Sequence, residues 1–185
     1  MEDISLHILD IAENSITAGA TLIKIRLADQ RNEDRFVVEI EDNGKGMTDD
    51  LVDKALDPFF TSRTTRSVGL GLSLLAQSAK ETGGHVDIES APGTGTTVRA
   101  QFRPAHIDMK PLGDITETLV VLIAGNPEID FTFTYDYDKG GQPFTFDTRE
   151  IRADLENIPI NAPGVLSFLR RYLSASLHDI KNKVV

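Results

Sequence analysis

Residues 36–47 read Phe36-Val37-Val38-Glu39-Ile40-Glu41-Asp42-Asn43-Gly44-Lys45-Gly46-Met47. Apolar residues recur at every second position, Phe36, Val38 and Ile40, which is the pattern of a strand with one buried face. Asp42 has the same parity, so the strand ends by turning a carboxylate inward. That costs free energy unless a donor meets it. Gly44 and Gly46 follow at once; they carry no side chain and reach backbone angles other residues avoid, so a flat ligand could approach closely. A buried acceptor beside bare backbone suits the amino edge of a base such as adenine. Taken alone, the same residues also read as an Asn-Gly turn closing a strand.

The whole chain sets outer limits on what this stretch can belong to. It has 185 residues, 40% of them hydrophobic, enough for one good core or two small ones. A net charge of −10 argues against a nucleic-acid backbone or an anionic membrane surface as main partner, and neither half carries a basic excess. The absence of cysteine excludes disulfides and thiolate metal sites. No N-terminal apolar run resembles a signal peptide and no stretch is long enough to span a bilayer, so a cytoplasmic soluble protein is expected.

Before the central stretch, residues 3–18 read as a helix, with Asp3 or Ser5 as cap and Gly19 closing its end. Ile4, Ile8, Ile11, Ala12 and Ser15 form its core-facing stripe. His7, Asp10 and Asn14 form a polar ridge on one flank, a pattern that ordinarily marks a solvated face. Thr21, Ile23, Ile25 and Leu27 give a first strand, and residues 30–35 a polar connection. After the glycine loop, residues 48–56 read as a short helix with Thr48 as N-cap and acids in its first turn.

Residues 57–68 have no clear period and read as a mobile loop anchored by Phe59 or Phe60. Gly69-Leu70-Gly71-Leu72-Ser73 then opens a helix to about Glu81, buried through Leu72, Leu75, Ala76 and Ala79. A glycine pair at a helix start leaves free N–H groups at the positive end of the macrodipole, an anion site to which Arg63 and Arg66 could add charge. Residues 85–90 and 96–102 are strands separated by Pro92-Gly93-Thr94-Gly95. Thr96 shares parity with Val98, Ala100 and Phe102, so it reaches the same interior as Asp42.

Residues 104–111 read as a boundary, dividing the chain into 1–103 and 104–185. Residues 114–124 form an apolar helix. Phe131, Phe133, Tyr135 and Tyr137 form one face of a hairpin that returns through Phe144 and Phe146. Val165, Phe168, Leu169, Tyr172 and Leu173 predict a last amphipathic helix. Asp130, Asp136, Asp138 and Asp147 sit outward or at the turn, so a solvated sheet face is expected there rather than a metal. A small α+β unit packed on the first part is expected, used for dimerisation or partner docking.

Asn14, Asp42/Gly44/Gly46, Phe59-Phe60, Gly69/Gly71 and Gly93/Gly95/Thr96 follow one another in the order of the boxes of the GHKL superfamily, which includes histidine kinases, MutL, Hsp90 and the gyrase ATPase subunit. Residues 1–103 resemble its ATP-binding domain. The whole chain is also similar to a small group of stand-alone ATP-binding proteins of anaerobic bacteria, often encoded beside iron-hydrogenase genes. The resemblance implies an α+β fold, a two-layer sandwich of the Bergerat type with helices on one face of a mixed, mostly antiparallel sheet. It implies ATP and Mg²⁺ as cofactors. Asn14 would hold the metal, Asp42 would accept from the adenine amino group and Thr96 would help bind the base. Gly69 and Gly71 would take the phosphates. Gly44, Gly46, Met47, Phe60, Thr61, Arg63, Leu70 and Leu72 would line the nucleotide, with residues 61–68 as lid.

Two departures bear on the activity. The family's ATPases usually carry Glu, and its kinases Asn, four residues before the metal-binding Asn; this chain has Asp10, a carboxylate one methylene shorter than Glu, as its candidate catalytic base. His7 could hydrogen-bond and tune Asp10, or line the pocket rim. No dimerisation and phosphoacceptor helix pair precedes the first box, so an acceptor is expected on another chain. Three activities stay open on sequence: phosphoryl transfer to a partner protein, an ATP-hydrolysing switch, or a non-catalytic nucleotide sensor.

Overall fold

The computed structural model describes residues 3–56, 70–137 and 142–184. The first helix, α1 (Ile4–Thr17), starts where Asp3 accepts from the Leu6 N–H at 3.0 Å and the Ser5 hydroxyl at 2.7 Å. Its remaining free donors at Ile4 and Ser5 reach the carbonyls of Pro111 and Leu112 at 3.0 and 2.9 Å, so a segment a hundred residues away completes the cap. Gly19, at φ +78°, closes the other end.

Six strands follow: β1 (Leu22–Gln30), β2 (Arg35–Asp42), β3 (His85–Ala91), β4 (Gly95–Phe102), β5 (Asp130–Tyr137) and β6 (Phe144–Asp147). They form one sheet in the order β3-β4-β2-β1-β5-β6. Every pairing is antiparallel except β1 with β5, which run parallel with Ile25 opposite Phe133. The fold is therefore α+β with a mixed, mostly antiparallel sheet. The segment beyond residue 104 joins the first part edge to edge: β5 and β6 widen its sheet instead of building a second one.

Period-two alternation decides which face is covered. Ile23, Ile25 and Leu27, Phe36, Val38 and Ile40, Val98, Ala100 and Phe102, and Phe131, Phe133 and Tyr135 are all buried. Each of the larger side chains contributes about 1.5–3 kcal/mol when removed from water. They meet α1, α3 (Leu70–Glu81), α4 (Ile115–Gly125) and α6 (Pro163–Val184) in a single core. The other face carries cross-strand ion pairs, Lys24–Glu41 at 2.8 Å and Arg99–Glu39 at 2.6 Å, and stays wet.

Two short helices complete the chain, α2 (Asp49–Ala55) and α5 (Thr148–Leu155). Thr48 stands at the N-cap of α2 but makes no side-chain capping bond. The α5 helix has no counterpart in the sequence reading. Asp147 caps it, and Arg152 ties it back through Asp130 and the carbonyls of Pro127 and Ile129. The stripe of α6 is corrected: Val165, Leu169, Leu173, Leu177 and Ile180 are buried, whereas Phe168 and Tyr172 are 50% and 41% exposed and stack on each other. Among the described residues no helix is long and apolar enough to cross a membrane.

Candidate functional site

Register brings the site together. Asp42 ends β2 opposite Ile23 of β1 on one side and Thr96 of β4 on the other. Its side chain is buried, and each carboxylate oxygen meets one donor from the chain. The Ser15 hydroxyl donates to Oδ2 at 2.6 Å and the Gly44 N–H to Oδ1 at 2.8 Å. A carboxylate offers about four acceptor positions, so this one is stabilised and still able to accept more.

Asp42 lines a narrow, mainly apolar cavity of about 80 Å³ together with Asn14, Gly46, Met47, Leu72 and Thr96. Ile11, Ala18 and Val98 supply further walls. Asn14 is half-buried on α1, and its amide makes no hydrogen bond among the described residues. Asp42 and Asn14 thus open on one cavity, an acceptor at its sheet end and a neutral amide on its helix wall. Phe60, Thr61, Arg63, Gly69 and the side chain of Leu70 lie outside the described residues, as does the lid segment 61–68.

The glycines of the central stretch have a local physical reason. Gly46 sits at φ +65°, and a Cβ there would lie 2.0 Å from the Ala91 carbonyl oxygen. Gly95 sits at φ +102°, and its Cβ would lie 1.9 Å from the Asp42 carbonyl oxygen. What approaches closely at these two positions is the chain's own backbone, where the glycine loop packs on the β3–β4 turn. The loop is pinned on both sides: the Lys45 N–H donates to the Ala18 carbonyl at 3.0 Å, and the Gly93 N–H to the Lys45 carbonyl at 2.8 Å. Asn43 is a brace, its amide oxygen accepting from the N–H groups of Thr21 and Leu22 at 2.8 and 2.9 Å.

Asp10 stands one turn before Asn14 on α1 and outside the lining of that cavity. Its carboxylate rests against the first turn of α3: a Cβ on Gly71 would fall 1.8 Å from Asp10 Oδ2. Burial raises the Asp10 pKa above the usual carboxylate value. His7 requires a correction. It neither bonds Asp10 nor lines a rim; it is 1% exposed, and neither ring nitrogen has a hydrogen-bond partner. Burial, helped by the positive charge of Lys110 and opposed by Asp3, lowers its pKa to about 4, so the ring is neutral at pH 7.

Sequence reasoning missed two serines. Ser15 read only as a member of the core stripe, although a hydroxyl in an apolar stripe is itself a signal that a buried acceptor lies opposite. Ser90 on β3 stands opposite Thr96, with the two hydroxyl oxygens 2.9 Å apart. The outward aspartates are engaged by arginines: Asp130 pairs with Arg152, Asp136 with Arg26 and Asp147 with Arg149. No group of three or more potential metal ligands occurs among the described residues; Asp138 is outside them.

Comparison with known proteins agrees with this architecture. The family model described as histidine kinase-, DNA gyrase B- and HSP90-like ATPase matches residues 2–106. Sensor kinase CckA of Brucella abortus (strain 2308) is 36% identical over 97 residues, covering 52% of this chain and 10% of that protein. Sensor histidine kinase YxdK of Bacillus subtilis (strain 168) is 37% identical over 75 residues, 38% of this chain and 23% of that one. The signal transduction histidine-protein kinase AtoS of Escherichia coli (strain K12) is 35% identical over 91 residues, 49% and 15%. The chain therefore spans a quarter or less of the length of these relatives. The solved N-terminal domain of a DNA repair protein superposes with a TM-score of 0.57 at 19% identity, covering 78% of this chain and 52% of that chain, a likeness of fold.

Proposed function

The chain belongs to the family of histidine kinase-, DNA gyrase B- and HSP90-like ATPases, and from that premise we propose that it holds ATP with Mg²⁺ and passes the terminal phosphoryl group to a partner protein. The observation that carries the reading is the buried Asp42 carboxylate, held by Ser15 and Gly44 and open to the cavity that Asn14 also lines. An acceptor with lone pairs to spare beside apolar walls matches the amino edge and flat faces of adenine. The Asn14 amide oxygen, without a partner among the described residues, is a neutral hard donor of the kind Mg²⁺ takes. Bound there, the metal would supply charge neutralisation for the phosphates.

The chain's own residues do the rest of the work in this reading. Asp42 orients the base through its amino group. Ile11, Met47, Leu72 and Val98 exclude water from its faces. Asn14, on the same helix as Ser15, fixes the phosphate end relative to the base end, and phosphoryl transfer is mainly such positioning plus charge stabilisation. The three sensor kinases above support transfer to a protein as the outcome.

A second reading, ATP hydrolysis as a conformational switch, is favoured by Asp10. It is a half-buried carboxylate whose pKa is raised by burial, in keeping with a group that takes a proton from an attacking water. Incubation with γ-labelled ATP separates the readings. Label on a co-purifying partner protein supports transfer, label in free phosphate supports hydrolysis, and label in neither leaves a nucleotide sensor.

A further inference from the structure

Behind Thr96, on the edge strand and outside the lining of the cavity that Asp42 shares with Asn14, the hydroxyl of Ser90 touches three polar groups. The Met47 N–H donates to its oxygen at 2.8 Å; the Gly95 carbonyl oxygen lies at 2.9 Å; and the Thr96 hydroxyl oxygen lies at 2.9 Å. Ser90 has one proton and two lone pairs. The Gly95 carbonyl can only accept and the Met47 N–H can only donate. All three contacts are made at once in one arrangement alone: Ser90 gives its proton to Gly95 and accepts from both Met47 and Thr96. The Thr96 proton then points away from the cavity, and Thr96 offers the cavity lone pairs only.

Resting on the adenine reading above, we infer that Ser90 is a positioning residue that sets the base preference of the site by fixing the polarity of Thr96. Asp42 and Thr96 are cross-strand neighbours. With Ser90 in place they present a row of acceptors with no donor among them. Adenine matches that row, because its 6-amino group donates, and a water donating to both Thr96 and ring N1 completes the edge. Hypoxanthine reverses that edge: its 6-oxygen turns an acceptor toward the Asp42 carboxylate, and its N1 carries a proton where adenine has a lone pair. Without the Ser90 hydroxyl, Thr96 is free to rotate its proton into the cavity, and an oxygen at position 6 then finds a donor.

The test is calorimetric binding of ATP and of inosine triphosphate, each with Mg²⁺, to the full chain and to Ser90→Ala and Ser90→Thr. In Ser90→Ala, ATP is expected to weaken about three- to tenfold, the range of one neutral hydrogen bond, while inosine triphosphate weakens less, so the ratio between them narrows. Ser90→Thr keeps the hydroxyl on a strand that suits β-branching and is expected to restore the ratio. A merely structural Ser90 would lower both affinities in proportion, because the lost Met47 contact is common to both nucleotides. An unchanged ratio in Ser90→Ala therefore overturns the inference while ATP binding itself survives. Should Ser90→Ala fail to fold, Ser90→Cys, a weaker donor of similar size, is read by the same ratio. Absence of ATP binding by the unmodified chain would remove the adenine reading and this inference with it.

Discussion

Exchanging Asp42 for asparagine replaces one acceptor oxygen by an amino group at the point where two internal donors and the proposed base converge. The Gly44 N–H, 2.8 Å from Oδ1, keeps its acceptor if the amide oxygen takes that place. The new amino group then faces Ser15. The serine can turn its proton fully to the Ile11 carbonyl, already 3.3 Å away, and accept in return. The fold therefore relaxes with a modest loss, about 1 kcal/mol. Nucleotide binding has no such escape: the amide hydrogens point at the amino group of adenine, donor against donor. Loss of a hydrogen bond to a charged acceptor is worth about 1.5–3 kcal/mol, which corresponds to a roughly 10- to 150-fold weaker ATP affinity. Inosine triphosphate should respond in the opposite direction, since its 6-oxygen accepts from the new amide. Titration calorimetry with both nucleotides, alongside a melting curve for the variant, reads all three quantities. An Asp42→Asn protein that melts normally and binds ATP within twofold of the parent would refute the assignment of Asp42 to the base.

Three further outcomes follow from the same geometry. Gly71→Ala places a methyl group 1.8 Å from the present position of Asp10 Oδ2, so the carboxylate must move; turnover of ATP should fall toward that of Asp10→Asn, and the double variant should be no slower than Asp10→Asn alone, as single-turnover assays would measure. His7, neutral in the fold with a pKa of about 4 against 6.5 unfolded, contributes stability that is complete above pH 6.5. The unfolded chain binds the extra proton, so stability falls as the pH drops from 6.5 through 4, by at most about 3 kcal/mol; urea melts of His7→Leu should lack that part of the slope. Gly95→Ala meets both a positive φ and a carbonyl oxygen at 1.9 Å, and chemical denaturation should show a loss of about 2–4 kcal/mol.

The parity of Asp42 and of Thr96 was readable because a strand's period of two assigns each side chain a face before any partner is known. Helical spacing likewise placed the buried stripe of α1, and the period of two the aromatic face of β5. It failed on His7, because whether a helix flank is wet depends on what packs against it from elsewhere in the chain, and Lys110, whose charge acts on the ring, lies some hundred residues further on. It missed α5 because Thr148–Leu155 is charged and polar and is held mainly by Asp147 and by the long-range contacts of Arg152. The assignment of Phe168 and Tyr172 to the buried stripe of α6 failed for a related reason. The helix continues to Leu177 and Ile180, and the longer run fixes a stripe that leaves both rings outside. The parallel join of β1 to β5 has no local signature at all. Ser90 escaped notice because its proposed role lies in which way a neighbour's proton points, a property of two strands and a loop together.

In the proposed reading, one cavity at the end of β2 takes the base of ATP while Asn14 on its helix wall holds the metal. Calorimetric titration of the folded chain with ATP, with and without Mg²⁺, tests it most directly. A saturable heat at one nucleotide per chain, weakened when Mg²⁺ is withheld and lost in Asp42→Ala, is the expected result. No heat and no rise in melting temperature at millimolar ATP·Mg²⁺, for protein shown to be folded, would contradict it.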